Sequence, residues 1–354
     1  MADPITVVLA THAGAAHVTA YLDALAAAED CNAVVLADPD GAWAEEARKR
    51  LGTKLKSVEA DPAAAFAGQR AGMGLVTMEA RRAPAVIETA LEANWHVFAE
   101  KPACVQIEDF RKLVDLADRK HRYLMLALAN RTNPEIAAAR RLFASGHIGR
   151  LFGVEAHLIA DQTRLTRPEY HRSWFADRTR AGGGHLIWLG IHWLDLTMYI
   201  TGQPIRRVAG FTANVGGQPV RIEDSAAAAL QYESGALGTL VSAYYLDKGY
   251  HQYIKLWGEH GWLMIRPMTD DPLRWYTSRG PEAGVVHSWK GNREPRGYTP
   301  FVRAAVRACR FDSEPPISNA DSLRALETVF AIYRAAETGR AVDVMTATGR
   351  TQGR

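Results

Sequence analysis

Between Gly182 and Asp195 the chain sets two imidazoles, an indole and a carboxylate into an otherwise apolar run. Read as a helix, His185, Trp188, His192 and Asp195 fall at i, i+3, i+7 and i+10, on one face. Such a face suits proton transfer, because histidine titrates near neutrality and a carboxylate can hold its ring. It equally suits a buried helix whose polar side chains bond to neighbours, and the spacing leaves both readings open. One metal ion shared by His185, His192 and Asp195 is excluded, because helical rise puts the ends about 15 Å apart. No metal is expected. The preceding Gly182-Gly183-Gly184 carries no Cβ, so its backbone can come close to a ligand.

A second group of candidates lies in the first half. Ile5 to Ala10 reads as a buried strand, Gly14 as part of a small-residue turn, and Ala15 to Glu29 as a helix. A strand, a tight turn and a helix N-terminus can bind a dinucleotide pyrophosphate. The glycine fingerprint for that job is nearly gone: Leu9 and Thr11 stand at its first two places and only Gly14 remains. Asp38 ends the second strand, 24 residues after Gly14. A carboxylate there accepts hydrogen bonds from a ribose diol and repels a 2′-phosphate, which favours NAD over NADP. It can also simply form the turn before Pro39. Lys101 follows the strand His96–Ala99, where α/β sheets place ligand groups. It could hydrogen-bond a substrate hydroxyl, or pair at the surface with Glu100.

The elements that must position these residues fall into two styles. Strands alternate with helices over the first 130 residues or so, which predicts a parallel sheet with helices on both faces. Strand-like runs follow at 152–160, 207–214, 225–232, 236–245, 253–258 and 261–266, with few helices between, which predicts a largely antiparallel sheet. Residues 268–298 lack periodicity and read as loop. Helices are expected at 299–309 and 320–338. The 354 residues favour two domains. We place the boundaries at 1–129 and 130–345, with the 320–338 helix able to pack back on the first domain and 346–354 as a flexible tail. The net charge of +3, with scattered Lys and Arg, gives no footprint for nucleic acid. No apolar run is long enough to span a membrane. Cys31, Cys104 and Cys309 are far apart, which argues against a disulfide framework or a zinc site. The N-terminus lacks a basic leader, and the expected compartment is the cytoplasm.

Several segments together carry a resemblance. Ala90 to Pro102, ending Glu100-Lys101-Pro102, resembles the EKP segment of the Gfo/Idh/MocA oxidoreductase family. Ser145-Gly146-His147-Ile148-Gly149 is similar to its step into the second domain, and Gly182 to Asp195 to its glycine-rich helix. Ile222-Glu223-Asp224-Ser225 and Gly235-Ala236-Leu237-Gly238 match its sheet pattern. The resemblance implies an α/β chain: an N-terminal Rossmann-type parallel sheet plus a C-terminal α+β domain with an open, mostly antiparallel sheet, through which homodimers or homotetramers form. It implies NAD, less readily NADP, held by Thr11, His12, Gly14, Asp38, Met78, Glu100, Lys101 and Pro102. A sugar-like substrate would meet Asn130, Arg131, Trp174, His185, Trp188 and Asp195. Lys101 would orient the reacting hydroxyl and His192 would be the general acid/base.

This sequence departs from the family at telling places. Trp188 replaces an aspartate, offering a flat apolar wall in place of a carboxylate. Met78-Glu79-Ala80 replaces a T-P-x segment, and Glu79 beside phosphates would be unfavourable unless turned away. Two enzyme readings remain. One is an NAD-dependent dehydrogenase or reductase acting at a hydroxyl or keto carbon of a sugar, polyol or sugar-like compound. The other is a divergent lyase, hydrolase or epimerase that uses the same cleft without turning over free NAD. A non-catalytic scaffold would have no need of Lys101 and His192.

Overall fold

The computed structural model describes residues 3–344. The expected 346–354 tail lies outside them. The chain divides into two compact units, and neither is a single stretch of sequence.

The first unit comprises residues 1–132, 178–182 and 295–323. Its sheet has strands β1 (Ile5–Ala10), β2 (Cys31–Ala37), β3 (Leu55–Glu59), β4 (Met73–Val76), β5 (His96–Ala99) and β6 (Leu124–Leu126). They run parallel in the order β3-β2-β1-β4-β5-β6. This is a doubly wound sheet whose strand order reverses between β1 and β4, where such sheets bind ligands. The strands are short, apolar and buried from both sides, as parallel strands must be. Leu9 is a core residue of β1, fully buried in register between Leu36 and Leu75. The glycine missing at that place is therefore a sheet position, and its side chain crowds no turn.

Helix Tyr298–Phe311 also belongs to the first unit and packs on helix Val18–Ala27. Phe301 meets Phe98 edge-on, and Tyr298 meets Tyr21 in the same way. The fully buried rings of Tyr21, Phe98 and Phe301 each contribute on the order of 2–3 kcal/mol. The predicted 320–338 helix spans Asn319–Thr338, and only its residues up to Leu323 fall in this unit.

The second unit holds the rest of the described chain. Its sheet has strands β7 (Leu151–Asp161), β8 (Ile205–Ala213), β9 (Ser225–Tyr232), β10 (Leu237–Leu246), β11 (Tyr250–Gly258), β12 (Gly261–Ile265), β13 (Leu273–Thr277), β14 (Val286–Ser288) and β15 (Val342–Asp343). The order is β14-β13-β12-β11-β7-β10-β9-β8-β15, and all neighbours run antiparallel except β7 and β10. Strands β13 and β14 lie inside the stretch read as loop. They extend the sheet edge by backbone pairing; β13 buries only Leu273 and Thr277 and β14 buries nothing, too little to print a period of two in the sequence.

The long apolar helix begins as a π-helix, Leu186–Gly190, and continues as an α-helix, Ile191–Thr201. The wider turn spoils the expected single face. His185 faces Ser242 and Tyr244 of β10, whereas Trp188 packs on Trp174 and Phe175.

Candidate functional site

In the first unit the strand ends on either side of the order reversal gather the candidate residues. Thr11 follows β1 and is fully buried, and its hydroxyl has no hydrogen-bond partner. Asp38 follows β2 and is 3% exposed. One of its carboxylate oxygens accepts the Trp43 N–H at 2.7 Å, while Oδ1 has no partner. A buried polar atom left unpaired costs about 1–3 kcal/mol. Two of them at the ligand end of this sheet are what a site built to bond ribose hydroxyls would show. Asp40 accepts the Ala13 N–H, Trp43 donates its indole N–H to the His12 carbonyl, and Thr77 donates to the Ala16 carbonyl. The glycine-poor turn is thus held in shape by side chains from neighbouring strand ends, while Gly14 sits exposed within it.

His12 is buried, and its Nε2 accepts the Glu79 N–H at 3.0 Å. Burial pulls the His12 pKa below the ordinary imidazole value, with Arg82 acting in the same direction. Met78, the residue before Glu79, is buried. Glu79 does not stand as a bare charge. Arg180 donates to both its oxygens, at 2.9 and 2.5 Å, and the Arg180 carbonyl accepts the Arg81 N–H. This bidentate pair neutralises the carboxylate that the sequence placed so awkwardly.

Glu100, Lys101 and Pro102 are all buried after β5. Glu100 accepts a hydrogen bond from the Tyr21 hydroxyl, lies 3.1 Å from His17 Nδ1 and 3.7 Å from Lys101 Nζ. Burial pushes the Glu100 carboxyl up, but His17 and Lys101 outweigh it and hold it below the ordinary carboxylate range. A charged lysine just past the strand end therefore has a buried anion behind it. The Lys–Glu pair that the sequence also permitted does form, but buried rather than at the surface. Asn130 is half-buried, and Arg131 is buried with Asp321 at 3.0 Å.

In the second unit the glycine turn is closed by protein rather than open to a ligand. A Cβ on Gly184 would sit 1.8 Å from the Glu223 carbonyl oxygen, and one on Gly183 would sit 2.0 Å from the Tyr333 hydroxyl. Glycine is needed there for packing, which corrects the expectation of close approach to a ligand. His185 is fully buried and its Nδ1 is 2.6 Å from Ser242 Oγ. Burial, with Arg164 nearby, holds its pKa at about 3, so the ring is neutral. Its buried Nε2 has no hydrogen-bond partner. Trp174 and Trp188 are 4% and 5% exposed and form an aromatic cluster with Phe175. His192 is half-buried on the α-helical part and Asp195 is buried one turn on. Glu223 and Tyr333 received no role from the sequence. The match at Ile222 to Ser225 was the available signal for the first, and nothing marked the second.

Among the described residues no cluster of three or more His, Cys, Asp or Glu could hold a metal, and no helix is long and apolar enough to cross a membrane.

A doubly wound sheet with unpaired acceptors at its order reversal, in one chain with an open mixed sheet, is the build of a nicotinamide-dependent oxidoreductase. Residues 6–128 match the model of an oxidoreductase family with an NAD-binding Rossmann fold, and residues 136–264 match the Gfo/Idh/MocA C-terminal domain. The chain belongs to the Gfo/Idh/MocA oxidoreductase family. An uncharacterised oxidoreductase of Schizosaccharomyces pombe is 30% identical over 139 residues, 39% of this chain and 36% of that protein. A 1,5-anhydro-D-fructose reductase of Ensifer adhaerens is 24% identical over 268 residues, 73% of this chain and 75% of that one. The alignments thus span about a third of the first relative and three quarters of the second. A levoglucosan dehydrogenase solved with NADH and L-sorbose shares the fold at a TM-score of 0.84 and 19% identity, covering 96% of this chain and 99% of that one.

Proposed function

We propose that the protein transfers a hydride between NAD(H) and a hydroxyl or keto carbon of a sugar, polyol or sugar-like substrate, with NAD preferred over NADP. The observation that carries the reading is the unpartnered, buried Oδ1 of Asp38. That oxygen is held in place by the Trp43 bond to its twin and would accept a ribose hydroxyl, while the fixed negative charge disfavours a 2′-phosphate. Thr11 would offer its hydroxyl to the same cofactor, and Gly14 and His12 would shape the turn around it. When bound, the nicotinamide supplies the hydride acceptor or donor.

The chain's own residues would do the rest. Lys101, backed by Glu100, would hydrogen-bond the reacting hydroxyl and favour its alkoxide. His192 would take the hydroxyl proton in oxidation and return it in reduction. The sugar-acting relative and the sugar-bound structural neighbour support this substrate class. We further propose that the second unit's sheet is a self-association face. Phe211, Leu237 and Trp257 are 77%, 63% and 38% exposed on it, and Leu237 and Trp257 both pair with Gly153 of β7. Light scattering on a Leu237→Lys variant tests that face, and a wild-type monomer would overturn it.

Calorimetric titration of the purified protein with NAD and NADP is the deciding experiment, followed by a sugar and polyol screen. Micromolar NAD binding with weaker NADP is expected. Absence of both bound and bindable NAD would overturn the reading. Release of NAD only on denaturation would move the reaction to one that recycles a resident cofactor.

A further inference from the structure

The helix that carries His192 begins with backbone N–H groups that have no partner inside the helix, as every helix does. Here a single residue, remote in sequence, takes the N–H groups of the N-cap and first helical residue together with that of the residue before them. Glu223 Oε2 accepts the Gly184 N–H at 2.7 Å, its backbone carbonyl accepts the His185 N–H at 3.1 Å, and its Oε1 accepts the Leu186 N–H at 3.1 Å. Tyr333 donates its hydroxyl to the same Oε1 at 2.8 Å. Both carboxylate oxygens therefore face donors only. The negative charge also lies at the positive end of the helix dipole. Burial holds the Glu223 carboxyl above the ordinary carboxylate range, and the bonds from Tyr333, Gly184 and Leu186 offset only part of that rise.

Beyond the first turn the helix is held again. A Cβ on Gly190 would lie 2.5 Å from Ser242 Oγ, so the helix rests almost on β10 at that point. The π segment, Leu186–Gly190, lies between these two anchors. A π turn holds one residue more than an α turn, and its relaxation would rotate the downstream part of the helix by roughly 100°. His192 comes two residues after the π segment.

We infer that Glu223 is a positioning residue, which by pinning the first turn fixes the direction in which His192 presents its imidazole. This rests on the reading of His192 as the proton-transfer group. Glu223→Gln is the informative change, because it keeps the volume and sets an NH2 against a donor. In the full-length protein we expect kcat to fall about 10- to 100-fold, as for an angstrom-scale misplacement of a reacting group. KM for NAD(H) and the affinity for NADH should stay within about twofold, since independent sites add. The His192 Cε1–H resonance, assigned with a His192→Asn control, should shift its titration midpoint by more than about 0.3 pH unit. Tyr333→Phe, which keeps the carboxylate, should show the same pattern more weakly and serves if Glu223→Gln does not fold. An unmoved His192 resonance and unchanged kcat in a folded variant would overturn the inference. So would a parallel loss of NADH affinity and kcat, which marks a general loss of structure. Should the wild type turn over no sugar or polyol, the proposed function fails, and the His192 titration still decides the role of Glu223.

Discussion

The two turns in this molecule that sequence would compare most readily, the glycine-rich one at 182–184 and the glycine-poor one at 11–14, are built in opposite ways. The glycine-rich turn is filled by its own protein: Glu223 and Tyr333 occupy the space where a Cβ would go. The glycine-poor turn and the neighbouring end of β2 leave two buried polar atoms unpaired, Thr11 Oγ1 and Asp38 Oδ1. A missing Cβ records that something is close, and here that something is the fold. An unpaired buried acceptor records a bond still to be made.

The comparison can be broken at either end. Gly184→Ala drives a Cβ against backbone, which cannot swing away as a side chain can. It should cost at least about 3 kcal/mol in a urea melt, and an unchanged midpoint would mean the turn has room after all. Asp38→Asn should do the opposite: its amide oxygen can still accept the Trp43 N–H, so the melt should be nearly unaltered. NAD affinity by calorimetry should fall about 10- to 100-fold, with the preference over NADP narrowed. Next in size is a pH effect in the second unit. His185 has a folded pKa of about 3, below its unfolded value, so the unfolded chain takes up its proton first. Its contribution is complete above pH ~6.5 and is lost at up to about 1.4 kcal/mol per pH unit as pH falls toward 3. His96, held at about 4 by burial and Arg122, gives the first unit an acid slope of its own. Urea melts from pH 7 to 4 should show a shallower acid slope in His185→Gln than in the wild type. The smallest effect is expected from Thr11→Val, which removes an unpaired hydroxyl at constant shape. Stability should hold or rise by up to about 1 kcal/mol while NAD affinity drops severalfold. A stability loss would show that the hydroxyl is already satisfied.

What the sequence disclosed was whatever depends on neighbours along the chain. Asp38 was legible because a strand end and a turn announce their position locally, and Lys101 for the same reason. The alternation of strands and helices gave the parallel sheet. The π turn was not legible, because Leu186 to Ile200 is apolar on nearly every side and such a run has no stripe to reveal a change of pitch. Strands β13 and β14 hid among Pro, Gly and Asp because edge strands take their identity from the partner strand. The Glu79 puzzle could be solved only through Arg180, a pairing made 101 residues away.

The seating of Glu223 also has a consequence for how the chain matures. A helix capped by its own N-terminal residues can form as soon as it leaves the ribosome. This one is closed by a carboxylate 39 residues beyond Gly184, and that carboxylate by a hydroxyl 110 residues further still. Such contacts of high sequence separation form late and slow folding. The segment bearing His192 thus reaches its final geometry only after Tyr333 has been made, and nascent chains cut before Tyr333 should hold the glycine turn open to amide exchange.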